Sequence, residues 1–176
     1  MENDLLQVAL RRRSVRKYSN KELNEVIINE IIKVGLLAPS SFGHKPVRFV
    51  VIRDKDKIKQ VGECKRMGGS QINSADTVIA VIVKTANKRD AEFWIEDGAI
   101  ASAYILLAAE QYGVGACWVH IRNRMGRNKT SDEEIRALLN VPDGYTVLNL
   151  ISLGEKAEQK RAYTKQDIDY SKVYWD

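Results

Sequence analysis

Cysteine, histidine and proline are scarce in this sequence of 176 residues, which contains two cysteines, two histidines and three prolines. Cys64 and Cys117 are too few for a disulfide scaffold in a chain of this length, so we predict that both are reduced thiols. Lys65 and Arg66 stand beside Cys64 and would lower the pKa of its thiol. No cysteine and histidine residues have the spacing of zinc ligands, and we therefore predict no metal site.

Long apolar runs are also absent from the sequence. No segment approaches the roughly 20 apolar residues that a membrane-spanning helix needs. The first ten residues carry Glu2 and Asp4 where a signal peptide would have an apolar core. The hydrophobic share of 44% and the charged share of 29% are ordinary for a globular domain. We therefore predict one domain spanning residues 1–176, located in the cytoplasm and without a membrane partner.

Three common nucleotide and nucleophile motifs are missing. No GxGxxG follows a strand, so a separate dinucleotide-binding domain is not expected. The sequence has no GxxxxGK[ST], which a phosphate-binding loop of the P-loop type requires. It also has no GxSxG, the turn that presents a serine nucleophile in many hydrolases.

Hydrophobic periodicity predicts a mixture of helices and strands without regular alternation. Asn20 is predicted to cap the second helix, Pro39 to end it, and Ser131 with Glu134 to form a capping box. The predicted helices are Asp4 to Arg11, Leu23 to about Leu37, Lys55 to Gly62, Phe93 to Tyr112 and Ser131 to Leu139. The predicted strands are Val47 to Ile52, Thr77 to Val83, Ala116 to Ile121 and Tyr145 to Leu153.

Two segments of the sequence indicate a second subunit. The helix from Phe93 to Tyr112 is apolar nearly all round between Ala99 and Ala109, so it must be covered by a core or by a subunit interface. Residues 155–176 are charged and rich in tyrosine, and a segment this polar cannot build a core of its own. We therefore expect residues 155–176 to form an arm that packs on a partner subunit.

A basic run, Arg11 to Lys17, is the most distinctive local pattern. The net charge of +5 and the pI of about 9.2 permit a nucleic-acid partner but do not require one. Arginine side chains and a serine hydroxyl at the end of a helix suit a bound phosphate, whereas a solvated basic face is the simpler interpretation. Aromatic residues are not interleaved with this run, as they are in proteins that stack single-stranded bases, and we predict no nucleic-acid partner.

Five segments together resemble the nitroreductase family, in the order and spacing of that family. The run Arg12 to Tyr18 resembles its RxSxR opening, and Ala38 to Pro46 resembles its APSxxNxQPW segment. The other three are Trp94 to Ala101, which resembles the start of its long central helix, Gly113 to Val119, which resembles its GLGSCW turn, and Leu153-Gly154 with Lys160-Arg161, which resembles its C-terminal glycine and basic cluster.

The resemblance implies an α+β fold, an α-β-α sandwich with a mostly antiparallel central sheet flanked by helices, in an intertwined homodimer with two FMN sites between the subunits. It implies that Arg12, Arg13, Ser14 and Arg16 contact the FMN phosphate or the pyrimidine edge, with Lys160 and Arg161 at the phosphate. Pro39, Ser40, Ser41 and Phe42 would approach the same flavin from the other subunit. The backbone of His120 and Ile121 would lie near flavin N5, and Gln71 lies in a loop that sometimes contacts the flavin.

The implied activity is electron transfer from NADH or NADPH, through FMN, to a nitroaromatic, a quinone or a similar small acceptor. No side chain is assigned as an acid or base, because the flavin carries out the chemistry. The sequence departs from the family pattern at Gly43, Lys45 and Val47, where the family has Asn, Gln and Trp. Two alternatives stay open: a flavin enzyme of this fold with other chemistry, such as flavin fragmentation, dehalogenation or ring dehydrogenation, and a basic binding module without enzymatic activity.

Overall fold

The computed structural model describes residues 4–176, apart from the side chains of Asp4 and Asp90. The expectation about a signal peptide rests partly on residues 1–3, which lie outside the described residues. The helices are α1 (Asp4–Arg11), α2 (Glu25–Leu36), α3 (Lys55–Glu63), α4 (Lys88–Glu92), α5 (Trp94–Gln111) and α6 (Ser131–Leu139). The strands are β1 (Val47–Ile52), β2 (Thr77–Lys84), β3 (Gly115–His120) and β4 (Tyr145–Gly154).

The four strands form one sheet in the order β1-β2-β4-β3. Every neighbouring pair is antiparallel, as the resemblance implied. The register pairs Val47 with Val83 at one end of the sheet, whereas Leu153 pairs with both Thr77 and Ala116 near the other end. Strand β3 therefore forms one edge of the sheet and β1 the other.

Helices cover both faces of the sheet and produce the expected three-layer sandwich. On one face, Ile58 and Val61 of α3 and Ile135 of α6 pack with Val78 and Leu150 of the central strands. On the other face, Ile31 of α2 and Ile105 and Ala108 of α5 pack with Ile79 and Ile151. Because β2 and β4 are covered on both sides, their sequences are nearly continuous runs of apolar residues.

The helices α2 and α5 lie close together because α2 carries a glycine at the point of contact. A Cβ atom added to Gly35 would lie 2.6 Å from Cγ1 of Ile105 and 3.1 Å from Cζ of Phe49. Both distances are shorter than ordinary carbon contacts. The absence of a side chain at Gly35 therefore allows α2 to sit against α5 over the sheet.

Two predicted helix starts were wrong. The cap of α2 is Asn24, whose Oδ1 accepts a hydrogen bond of 2.8 Å from the Val26 N–H, and not Asn20. The capping box of α6 pairs Thr130 with Glu133, one residue before the predicted pair. Ser131 is instead buried within the first turn. Glu134 accepts hydrogen bonds from the backbone of Asn128 and Lys129, so its carboxylate is used to hold the preceding loop.

The other predicted elements agree with the structure to within about two residues, and α4 is an addition. The outer side of α5 is only partly covered, since Ile100 and Tyr104 are each 37% exposed. In residues 155–176, Tyr174 and Trp175 are 92% and 89% exposed. Among residues 4–176, no helix combines the length and the apolar character that crossing a bilayer requires.

Candidate functional site

The basic segment after α1 lies along the outer edge of β3. Ser14 forms a parallel bridge with Ala116, and the Val15 N–H donates a 3.0 Å hydrogen bond to the Ala116 carbonyl. The Tyr18 hydroxyl donates to the Val15 carbonyl at 2.6 Å and lies 2.8 Å from Oγ of Ser152. These contacts fix the backbone of residues 14–18 on the sheet.

The chain after β4 returns to the same edge and brings the second basic pair with it. The Ala157 N–H donates to the Lys17 carbonyl at 3.0 Å, and the Arg16 N–H donates to the carboxylate of Glu158. Nζ of Lys160 donates to the Ser14 carbonyl at 2.6 Å. The structure therefore brings together Arg12, Arg13, Ser14, Arg16, Lys160 and Arg161, which the sequence analysis selected from two distant segments.

The arginines of this edge differ in what their side chains contact. Arg161 forms two hydrogen bonds with the Asp167 carboxylate, at 2.7 and 3.0 Å. Arg13 donates to the Arg161 carbonyl and lies over the Tyr163 ring, with 4.7 Å between its guanidinium carbon and the ring centre. Among the described residues, neither Arg12 nor Arg16 forms an ion pair. Their charges are thus the ones available to an anionic ligand.

A cleft of about 910 Å³ opens beside this edge, between α1 and the returning chain. Arg13 and Val15 line one side, and Lys160 and Arg161 line the other. Glu158 also lines the cleft, and the hydrogen bond from the Arg16 N–H holds the pKa of its carboxyl below its ordinary value. Glu110 lines the cleft as well, and its carboxylate is paired with Lys156 and Arg11. The cleft is therefore bordered by arginine and lysine side chains together with two carboxylates.

Cys117, on β3, lies beside the basic edge. Burial raises the pKa of its thiol, while the charges of Arg16 and Lys160 and a hydrogen bond with the Ser14 hydroxyl act in the opposite direction. Nε2 of Gln71 lies 3.9 Å from its sulfur, so the loop that carries Gln71 reaches the basic edge as well. Periodicity does not reveal this meeting, because Gln71 follows α3 and Cys117 follows α5.

At the far end of β3, His120 is the last residue of the strand and Ile121 follows it, in a different environment. Ile121 is fully buried, whereas His120 is half-buried. Burial lowers the pKa of the His120 imidazole, and the charges of Arg124, Arg122 and Lys65 lower it further, so the ring is mostly neutral at pH 7. No sequence pattern predicted a ligand contact for Lys65, Arg122 or Arg124.

The backbone of β3 also has a free edge. The Ala116 carbonyl accepts a hydrogen bond from the Val15 N–H, so the backbone N–H and C=O of Ala116 point outward from the sheet. Because this direction alternates along an antiparallel strand, the peptide groups of Trp118 and His120 point outward too. In the described chain β3 has no strand beyond it on this side, and these groups face the space next to the basic edge.

The segment from Pro39 to Phe42 lies at the opposite end of the sheet. It precedes Val47, which pairs with Val83, whereas the basic segment pairs with Ala116 next to Leu153 and Thr77. Thr77 and Val83 are six residues apart on one strand, or roughly 20 Å. A single chain therefore does not bring its own loop to its own basic edge.

Helix α5 holds this loop in a strained shape. The buried carboxylate of Asp97 accepts hydrogen bonds from the Ser41 N–H at 2.7 Å and the Ser41 hydroxyl at 3.0 Å. Oγ of Ser40 accepts from the Lys45 N–H at 2.8 Å. Phe42 has φ of 51° and is 69% exposed, a costly backbone conformation for an aromatic residue. Residues held in such conformations concentrate at binding and catalytic sites.

An antiparallel four-stranded sheet between two helical layers, with a basic segment on the β3 edge, agrees with the architecture that the sequence implied. A sequence model of the nitroreductase family matches residues 9–72 and 63–155, and the chain belongs to this family. It is similar to a protein of Archaeoglobus fulgidus with a provisional assignment as NADH dehydrogenase/NAD(P)H nitroreductase, with 30% identity over 93% of this chain and 92% of that protein.

A second archaeal relative and one solved structure extend the comparison. A protein of Methanothermobacter thermautotrophicus with the same provisional assignment is 32% identical over 88% of this chain and 78% of its own length. The structure of an FMN-dependent nitroreductase from Clostridium difficile superposes with a TM-score of 0.90 and 39% identity. That match covers 97% of this chain and 98% of the other.

Proposed function

We propose that this protein is an FMN-dependent oxidoreductase that takes electrons from NADH or NADPH and passes them to a nitroaromatic, a quinone or a similar small organic acceptor. The family and the similarity to a nitroreductase that depends on FMN support this proposal. The observation that supports it is the basic edge of β3, where Arg12 and Arg16 have no ion pair among the described residues. Their neighbours Arg13, Lys160 and Arg161 line a cleft of about 910 Å³.

The donors at this edge fit a phosphate group. The guanidinium groups of Arg12 and Arg16 would bind two oxygens each, and Lys160 would add a third positive charge close to Ser14. Arg13 and Arg161 are partly used within the chain, but a guanidinium has five N–H donors, and those that remain would reach the rim of the phosphate site.

The outer edge of β3 fits the ring of a flavin. When bound, FMN would supply the redox chemistry by accepting a hydride from the nicotinamide and passing electrons to the acceptor. The peptide groups of His120 and Ile121 lie at the end of β3, where the outward N–H of His120 would donate a hydrogen bond to the flavin ring near N5. The His120 imidazole, being neutral, would add no charge to this region.

A second copy of the chain would complete the flavin site. The loop with Pro39, Ser40, Ser41 and Phe42 lies at the opposite end of the sheet from the basic edge of its own chain. We propose that in a homodimer it approaches the flavin bound to the other copy. The exposed aromatic side chains of residues 155–176 and the partly covered outer side of α5 supply apolar surface for such an interface. Residues 155–176 would then act as an arm that packs on the second copy.

The first experiment identifies the cofactor of the purified protein. We expect a yellow protein with a flavin spectrum, from which FMN is released on unfolding and identified by chromatography. Without oxygen, NADH or NADPH should bleach the colour, and a nitroaromatic or a quinone should restore it. A colourless protein that does not take up FMN, but binds DNA with a steep salt dependence, would support the basic binding module instead.

Steady-state kinetics test whether the electron donor and the electron acceptor share one binding site. Because the sequence has no dinucleotide-binding motif, both must reach the same exposed flavin face in turn. Double-reciprocal plots should give parallel lines, as expected when the enzyme is reduced before the acceptor enters. Intersecting lines would show that donor and acceptor bind at the same time and would contradict a shared binding site.

A further inference from the structure

We propose that a second basic cleft, at the end of the sheet that carries the Phe42 loop, binds a phosphate or carboxylate group of the molecule that reacts at the flavin. This cleft, which we call the Arg48 cleft, has a volume of about 440 Å³. Its lining includes Lys45, Arg48, Lys84, Asn87, Arg89 and Tyr145. The inference rests on the proposed flavin function for the identity of the ligand, but not for the binding of an anion.

Three cations of the Arg48 cleft contact uncharged groups. Nζ of Lys45 donates to the Ala38 carbonyl at 2.7 Å. The guanidinium carbon of Arg48 lies 4.7 Å from the centre of the Tyr145 ring, and that of Arg89 lies 4.9 Å from the centre of the Phe42 ring. Among the described side chains, none of these three cations forms an ion pair with a carboxylate.

Stacking on an aromatic ring orients Arg48 and Arg89 to bind an oxyanion. A ring holds the guanidinium plane in place, while the N–H groups at its rim stay free to donate. The positive charges of Lys45, Arg48 and Arg89 also repel one another, and an anion bound among them would relieve that repulsion. The volume of the Arg48 cleft lies within the range of small-ligand pockets.

The Arg48 cleft is continuous with the loop that we assign to the flavin of the second copy. Arg89 contacts Phe42 directly, and the ring of His44, another lining residue, lies 5.8 Å from the ring of Phe42. An anion in the cleft would therefore sit next to the open side of the flavin. A molecule held there by its charged group would place its remaining part toward the reacting ring.

A binding titration tests the cleft without using turnover. Purified protein is titrated in a calorimeter with 2′-AMP, adenosine, 4-nitrobenzoate and 4-nitrobenzyl alcohol. We expect Arg48→Gln to weaken binding of 2′-AMP, of 4-nitrobenzoate or of both by about tenfold, with Arg48→Lys weakening it less. The binding of the two neutral probes should be unaffected.

The control for the titration is Lys59→Gln, which removes one charge from an exposed position on α3. Equal binding of both anions by Arg48→Gln and Lys59→Gln, or no binding of either anion to the unaltered protein, would overturn the proposal.

Kinetic ratios then identify the source of the anionic group. If the cleft binds the 2′-phosphate of the donor, Arg48→Gln should raise the ratio of KM for NADPH to KM for NADH by about tenfold. If it binds the carboxylate of an acceptor, the ratio of KM for 4-nitrobenzoate to KM for 4-nitrobenzyl alcohol should rise instead. A protein without flavin would contradict the proposed function, whereas the titration would still decide whether the cleft binds anions.

Discussion

The basic edge has three neighbouring arginines whose side chains make different contacts: Arg13, Arg16 and Arg161. Arg161 is held by Asp167, and the hydrogen bonds between them raise the pKa of the guanidinium and lower the pKa of the carboxyl. Arg13 ties the segment after α1 to the returning chain. The guanidinium of Arg16 has no ion pair among the described residues, although its charge acts on Cys117. Arg16 is thus the residue whose loss should affect a ligand more than the fold.

The first prediction separates phosphate binding from ring binding at Arg16. Arg16→Gln should weaken FMN binding by about tenfold to a hundredfold, because a charge-assisted hydrogen bond contributes about 1.5–3 kcal/mol. Riboflavin, which lacks the phosphate, should bind the altered and unaltered proteins about equally. Fluorescence titration of the flavin-free protein measures both affinities, with Lys59→Gln as the control. Equal losses for FMN and riboflavin would show that Arg16 does not serve the phosphate.

The second prediction concerns the thiol of Cys64. The neighbouring Lys65 and Arg66 suggested a lowered pKa, but burial and the charge of Glu134 raise the pKa of Cys64 to about 11. At pH 8 the reactive thiolate should then be about a hundredfold scarcer than for a thiol with the ordinary value of 9.0. Timed labelling with a thiol reagent, in a Cys117→Ser protein, measures the rate. Labelling as fast as a free cysteine would contradict the buried placement.

At the scale of elements, helix α5 connects the core to the Phe42 loop. Its inner side packs on the sheet through Ala101 and Ile105, and its first turn supplies the Asp97 carboxylate that holds Ser41. A carboxylate in the first turn also interacts favourably with the helix dipole. The strained backbone of Phe42 is therefore supported by a rigid element and not by the loop alone.

Removing that support gives the third prediction. Asp97→Ala should lower the free energy of unfolding by about 1.5–3 kcal/mol, because it leaves the Ser41 N–H and hydroxyl without their charged acceptor. Asp97→Asn, which keeps an acceptor oxygen, should lose less. Glu96→Ala, on the exposed neighbouring residue, should change stability by no more than about 0.5 kcal/mol. Urea unfolding compares the three variants, and similar losses in Asp97→Ala and Glu96→Ala would contradict the anchoring role.

The elements were largely predictable because their patterns are local. Strands β2 and β4 are nearly continuous apolar runs, and α2 repeats apolar residues at helical spacing. The exact helix caps could not be predicted. Asn20 and Asn24 are equally good capping residues, and only the path of the chain selects Asn24. The meeting of Ser14 with Lys160, and of Gln71 with Cys117, depends on strand order, which no local pattern contains. The resemblance to a family supplied the first pair, and nothing in the sequence indicated the second.

At the scale of the whole molecule, the two halves of the proposed flavin site lie at opposite ends of one sheet. The basic edge accompanies the start of β3, and the Phe42 loop precedes the start of β1. In the homodimer that we propose, a loop that reaches the edge of the other chain does so twice, because a two-fold symmetric pair repeats every contact. The exposed aromatic residues near the C-terminus are suited to hold that pair together.

The fourth prediction tests the contribution of the C-terminal residues to assembly. Ending the chain after Asp169 removes Tyr170, Tyr174 and Trp175 but keeps Lys160 and the Arg161–Asp167 pair. Burial of a large apolar side chain contributes about 1.5–3 kcal/mol, so the dimer should dissociate at concentrations at least about tenfold higher than before. Sedimentation across a dilution series measures the change, with Lys59→Gln on α3 as the control. An unchanged dissociation constant would show that these residues do not contact the second copy.

The flavin content of mixed dimers tests the shared site most directly. One chain carries Arg12→Ala and Arg16→Ala, the other carries Phe42→Glu, and differently tagged copies are purified together after coexpression. Each altered chain alone should form dimers that are poor in FMN, whereas the unaltered dimer should hold two FMN molecules. The mixed dimer should recover one FMN, because one of its two sites combines an intact basic edge with an intact loop from the other chain. A mixed dimer as empty as its parents would contradict a flavin site built from two chains.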